Sequence, residues 1–292
     1  MKERSWVMII IIAVVIAGAV SFLLLLYVGA LLPGGQSLAF GEKIGLIRVE
    51  GAIYNSRPAV DEIVEFGKDD DIKALLVRID SPGGGVAASQ EIYEELKKVS
   101  DQGKPVIASM GSLAASGGYY VACGADTIVA NPGTLTGSIG VIMRFAQAEE
   151  LLRKIGVGYE VVKTGEYKDI GSPSRPLTEE ERLLLTDLLD DVYDQFVSVI
   201  VSERDLERSY VESFSDGRLL TGRQAFEMGL VDSLGDLHDA IMLAGKMAGI
   251  DGEPVIVRPR RKTLSLWDVL SDLAGKASTA SRSSMALEYS FR

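Results

Sequence analysis

Three short apolar runs set the frame: Lys43 to Val49, Ala74 to Ile79 and Pro105 to Met110. The second is broken only by Arg78. Runs with so little polar alternation are expected of strands covered on both faces. Helical patterns separate them. Pro58 to Lys68 opens with a proline suited to a first turn, and Val86 to Val99 repeats Ile92, Leu96 and Val99 at helical spacing. Strands alternating with crossover helices predict an α/β domain built largely from parallel strands. Thr127 to Ala130 and Tyr159 to Lys163 read as further strands. Thr178 to Arg204 reads as a long amphipathic helix, with Thr178 and Glu181 forming a capping box. Thr221 to Met228, Leu237 to Met247 and Leu264 to Leu273 read as shorter helices, and Ser278 to Arg292, rich in Ser and Ala, as a mobile end.

Trp6 to Val28 is an almost unbroken apolar run without a charge, long enough for the roughly 20 residues of a bilayer-spanning helix. A cleavable signal peptide would carry an apolar core of about 7–15 residues, so the run is read as an uncleaved anchor. Lys2 and Arg4 precede it, and no basic residue follows before Lys43. That asymmetry places the bulk of the chain outside the cytoplasm, on the periplasmic or outer face of the cell membrane. The expected organisation is a cytoplasmic tip and transmembrane anchor (1–28), a linker (29–42), one globular domain (43–258) and a C-terminal tail (259–292).

The formal net charge of -11 argues against nucleic acid as a partner. One cysteine, Cys123, excludes an internal disulfide framework and a zinc site of several cysteines. No cofactor or metal is called for. The single histidine, His238, lies in a helical segment far along the chain from the serine-rich motifs. A Ser-His-Asp triad therefore has no histidine to use, and a nucleophilic serine needs another base. The candidate serine is Ser116, in Gly111-Ser112-Leu113-Ala114-Ala115-Ser116-Gly117-Gly118-Tyr119-Tyr120. The motif follows a strand and leads into a helix, where a serine between small residues presents its Oγ with little cover. The same small residues would also suit a helix packed tightly on a sheet.

Asp80-Ser81-Pro82-Gly83-Gly84-Gly85 is a second glycine-rich turn, with backbone N–H groups suited to a phosphate or an oxyanion. Gly83, Gly85 and Ala88 fit the spacing of a dinucleotide site, but Ser109 and Met110 stand where an acidic residue should close the next strand. Lys168 lies in the loop from Lys163 to Pro173. A lysine desolvated in an apolar cleft can accept a proton from a serine, and Ser-Lys pairs are a known variant of the triad logic. Ser138, in Thr134-Leu135-Thr136-Gly137-Ser138-Ile139-Gly140-Val141, either orients that lysine or simply serves its turn.

The order and spacing of Ile79 to Gly85, Gly111 to Tyr120, Thr136 to Val141 and Gly165 to Pro173 resemble the signal peptide peptidase A family, peptidase family S49. The likeness covers roughly Ile44 to Gly249, and one copy of the domain matches the short form of the family. The resemblance implies a ClpP/crotonase-like fold and a membrane-anchored serine endopeptidase that degrades signal peptides and other apolar peptides. It makes Ser116 the nucleophile, Lys168 the general base and Ser138 the residue that orients it, with Gly83, Gly84 and Gly117 as the oxyanion region. In two-copy members the lysine and the serine lie in different copies. A one-copy chain is therefore expected to form a homo-oligomeric ring, an octamer, in which Ser116 of one subunit meets Lys168 of the next. Two alternatives fit the motifs less well. One is the related membrane serine protease that partners stomatin-like proteins, which carries further transmembrane helices. The other is a crotonase-like acyl-CoA enzyme, in which Ser116 and Lys168 would lack a role.

Overall fold

The computed structural model describes residues 16–23, 41–259 and the backbone of 288–290. The chain divides into two compact units, Met1–Gly41 and Glu42–Arg292. In the first, 16–23 form a helix (α1) whose Ile16, Val20, Phe22 and Leu23 are exposed. The rest of the Trp6 to Val28 run lies outside the described residues. Among those described, no helix is long and apolar enough to cross a membrane. The expected helix from Leu264 to Leu273 also lies outside them.

The second unit is built on a sheet whose central strands are β1 (Lys43–Glu50), β2 (Ile72–Ser81) and β4 (Val106–Ala115), paired in parallel. Their alternate residues feed two different cores. Ile47, Val49, Leu75, Val77 and Ile79 face α2 (Arg57–Lys68) and α3 (Val86–Asp101) through Ile63, Phe66, Ile92 and Leu96. Ile44, Leu46, Ala74 and Leu76 face Ala240 and Ala244 of α9 (Leu237–Met247). Helices on both faces explain why these strands read as continuous apolar runs. Each buried Leu or Ile contributes about 1.5–3 kcal/mol relative to exposure.

β4 runs five residues beyond the Met110 at which its apolar run ends. Its first half pairs with β5 (Thr127–Ala130) and its second half, Leu113–Ala115, with β6 (Leu135–Gly137). Gly111 to Ala115 carries no apolar period of its own. The neighbour supplied by β6 makes it a strand and carries the sheet up to Ser116. β6 in turn pairs antiparallel with β7 (Leu219–Thr221), β5 pairs with β8 (Ser233–Leu234), and β9 (Val255–Val257) closes the far edge beside β1.

α6 (Glu179–Arg204) has the expected capping box at Thr178 and Glu181. Its apolar stripe divides: Val192, Phe196 and Ile200 are buried, whereas Leu183, Leu184 and Leu188 are exposed. Two expectations need correction. Tyr159 to Lys163 is not a strand but an exposed segment, paired with no strand among the described residues. Within the tail expected to be mobile, Glu288–Ser290 form a strand, β10, antiparallel to β3 (Gly83–Gly85).

Candidate active site

Ser116 sits where β4 ends and the short helix α4 (Gly117–Ala122) begins. Its backbone is bent sharply, at φ 54° and ψ -119°. A side-chain-bearing residue there is strained by about 1–3 kcal/mol, so the surroundings must hold it. They do so from every side. Its N–H donates to Gly137 C=O (2.8 Å), and its C=O accepts from Tyr120 N–H (2.9 Å). Two buried threonines, Thr134 just before β6 and Thr136 within it, hold the strand behind it: Thr134 Oγ1 donates to Gly111 C=O and Thr136 Oγ1 to Ala114 C=O, both at 2.7 Å. Tyr119, wholly buried, donates its hydroxyl to Leu230 C=O (2.9 Å) and pins α4.

Ser138 follows β6 and is bent in the same sense, at φ 52°. Its N–H donates to Arg218 C=O (2.7 Å). Both serines line one cavity of about 540 Å³. Ile139, Val141 and Ile142 line it, as do Leu189 and Tyr193 of α6. Arg144, Asp190 and Asp216 also line it. The Asp216 carboxyl is held down at about 2 by hydrogen bonds from the Arg218 guanidinium, so that residue stays charged in any ordinary assay. Burial pushes the Tyr193 phenol up, aided by the charge of Glu212, and the hydroxyl stays protonated. Leu189 and Tyr193 escaped the sequence reading. They stand one helical turn apart on α6, and no local pattern says which turn of a long helix will face a serine.

The glycine turn lies beside the Ser116 corner because Ser81 is in register with Ala114 across β2 and β4. Gly83–Gly85 is a short extended strand rather than an open cradle. Gly83 N–H donates to Ser81 Oγ (3.0 Å), and Gly85 N–H to Ile53 C=O (2.8 Å). A Cβ on Gly84 would stand 2.4 Å from the Ile53 carbonyl oxygen, so only glycine fits that approach. Gly117, buried, opens α4 directly after Ser116.

Lys168 stands apart from this constellation. It is exposed, its N–H donates to Gly165 C=O (3.2 Å), and it is not among the residues lining the cavity of Ser116. The segment around it presents Leu151, Ile155, Val157, Tyr159, Val161 and Val162 to solvent. Among the described residues, no group of three or more His, Cys, Asp and Glu is placed to hold a metal ion.

A strained serine at a strand-to-helix corner, in a ClpP-like α/β frame, defines the class: a serine peptidase. The Clp protease profile matches residues 47–133, which cover the central strands and the serine corner. The profile of peptidase family S49 matches residues 98–251. A Synechocystis protein named as a candidate protease is 50% identical over 73% of this chain and 77% of its own length. An Enterococcus faecium protein named as a candidate signal peptide peptidase SppA is 37% identical over 64% of this chain and 55% of its own. The chloroplastic serine protease SPPA of Arabidopsis thaliana is 36% identical over 78% of this chain but only 34% of its own. The chain belongs to peptidase family S49, in its short, single-domain form.

Proposed function

We propose that the chain is a membrane-anchored endopeptidase that cleaves signal peptides and other apolar peptides with Ser116 and Lys168, its catalytic domain outside the cytoplasm. The observation that carries this reading is Ser116 itself, held strained and nearly covered beside a cavity that mixes apolar and charged side chains. In the proposed reaction Ser116 Oγ attacks the scissile carbonyl carbon and Lys168 Nζ takes its proton. Ser138 orients that amine. The oxyanion is met by backbone N–H groups of the glycine region. Gly83 already donates to Ser81, which favours Gly84 and Gly117 as donors. Lys168 then returns the proton to the departing amine, and water, deprotonated in the same way, hydrolyses the acyl-serine.

The substrate would lie along β3, whose edge already takes one antiparallel strand, β10. Backbone pairing of this kind selects extended peptides over folded proteins, and apolar cavity walls favour apolar side chains. Lys168 would come from a neighbouring copy in a closed ring, since each chain buries its serine and turns its lysine outward. The exposed apolar segment from Leu151 to Val162 supports that contact, because contiguous apolar surface favours a partner.

The experiment is labelling with a serine-reactive fluorophosphonate. Ser116 should react in the full chain and fail to react in Lys168→Ala. Ser116→Ala and Lys168→Ala chains, each inactive alone, should recover activity when mixed and reassembled. Labelling that survives Lys168→Ala would defeat the Ser-Lys reading. No recovery in proven mixed oligomers would place both residues in one chain.

A further inference from the structure

Four charged residues stand six apart along the segment that carries Lys168: Lys163, Asp169, Arg175 and Glu181. They form one chain of ion pairs. Lys163 Nζ donates to Asp169 Oδ1 and to Glu166 C=O, both at 2.6 Å. Arg175 grips the same carboxylate in a fork, Nε to Oδ2 at 2.9 Å and Nη2 to Oδ1 at 2.8 Å. It grips a second carboxylate as well, through Nη1 to Glu181 Oε2 (2.8 Å) and Nη2 to Glu181 Oε1 (2.5 Å). Glu181 is 3% exposed, and its Oε2 also accepts from Thr178 N–H (2.9 Å).

A role in helix capping alone does not account for this arrangement. Thr178 and Glu181 complete the cap of α6 by themselves. Asp169 adds nothing to that cap, yet it takes two cations and is the residue next to Lys168. No strand or helix holds Lys168; its loop is tied to α6 by the ion-pair chain and to the helix Glu149–Lys154 by one backbone bond, Ala148 N–H to Pro173 C=O (2.8 Å). The element is informative too: α6 also lines the Ser116 cavity, through Leu189 and Tyr193. One rod thus carries the anchor of the lysine loop and a wall of the nucleophile's cavity.

We infer that Asp169 and Arg175 are positioning residues for Lys168, fixing its loop to the first turn of α6 so that the amine is delivered at one place. The inference rests on Lys168 as the general base. A base must come within hydrogen-bond reach of its proton, and a misplacement of about 1 Å can cost roughly 100-fold. An arginine is required because its planar fork meets each of the two carboxylates with two hydrogen bonds, which a lysine's single ammonium does not.

The test is steady-state hydrolysis of an apolar fluorogenic peptide by the full chain, well below its melting temperature. Asp169→Asn and Arg175→Lys should each lower kcat by about 100-fold with KM nearly unchanged. Asp169→Glu, which keeps the carboxylate, should recover much of the loss. Should Asp169→Asn fail to fold, Arg175→Lys, which keeps the charge, carries the test. Lys168→Ala is run in parallel. If that variant stays active, the base reading falls and this inference with it. If it is inactive while Asp169→Asn and Arg175→Lys keep the original kcat, the positioning role alone is refuted. A loss of kcat matched by an equal loss of melting temperature, and not relieved by Asp169→Glu, would reduce the ion pairs to a structural role.

Discussion

The serine corner and the lysine loop are built on opposite principles. Ser116 is 1% exposed and is held by β6, by two buried threonines and by the α4 anchor Tyr119. Lys168 is exposed and has neither strand nor helix, only charges and a turn. The domain's own core can hold a strained serine because sheet hydrogen bonds and burial outweigh about 1–3 kcal/mol of backbone strain. It does not place Lys168 against that serine. The surface around Lys168 is rich in exposed apolar side chains, and in the proposed reaction a neighbouring copy covers it.

The same substitution in the two regions should break the symmetry most plainly. Gly84→Ala places a Cβ against the Ile53 carbonyl, a rigid backbone neighbour at 2.4 Å. It should cost about 3 kcal/mol and remove peptidase activity, as overpacked sites do. Gly165→Ala meets nothing within 4 Å and should stay within about 0.5 kcal/mol of the original stability. Denaturant melts of both variants read the difference. Equal losses would mean that the two regions are equally packed.

A smaller effect tests the strain itself. Ser116→Gly relieves a positive φ of 54°, at the cost of extra chain freedom in the unfolded state. The inactive variant should be more stable by about 1 kcal/mol, whereas Lys168→Ala should change stability by less than about 0.5 kcal/mol. Calorimetry would show the two melting temperatures moving apart. A destabilised Ser116→Gly would show that the corner stores no strain.

The smallest expected effect is on acidification. The Glu181 carboxyl is held at about 2, by Arg175 first and by the Thr178 N–H second. Asp169 is held well below the usual carboxylate range, by Arg175 first and Lys163 second. A lowered carboxyl contributes its stabilisation in full above its ordinary value and loses it as pH falls toward the lowered one. From about pH 4.5 down to about pH 2 the lysine loop should therefore loosen. The strands around Ser116 are held chiefly by backbone and threonine hydroxyl bonds, which do not titrate, with carboxylates taking two β4 amides, Leu113 N–H (Asp80, 3.1 Å) and Val106 N–H (Asp126, 2.7 Å). Hydrogen exchange should show the amides of 163–175 losing protection before those of β4. Simultaneous loss in both would contradict the assigned anchoring.

The sequence by itself determined the parallel α/β frame, because strands covered on both faces must be apolar at nearly every position. It determined the long capped helix from the pattern at Thr178 and Glu181, and the candidate serine from its small neighbours and the lone, distant histidine. Other features depended on partners remote in the chain. Gly111 to Ala115 became strand only because β6 lies beside it, and Tyr159 to Lys163, paired with no strand among the described residues, did not. Which turn of α6 faces Ser116 was settled by docking against the sheet. That Arg175 would reach back to Asp169 and forward to Glu181 was fixed by the fold of a loop with no period to read. Local patterns encode burial and capping, which act within a few residues. Pairing edges, cavity walls and the reach of a long charged side chain are set by contacts between segments that the chain order leaves far apart.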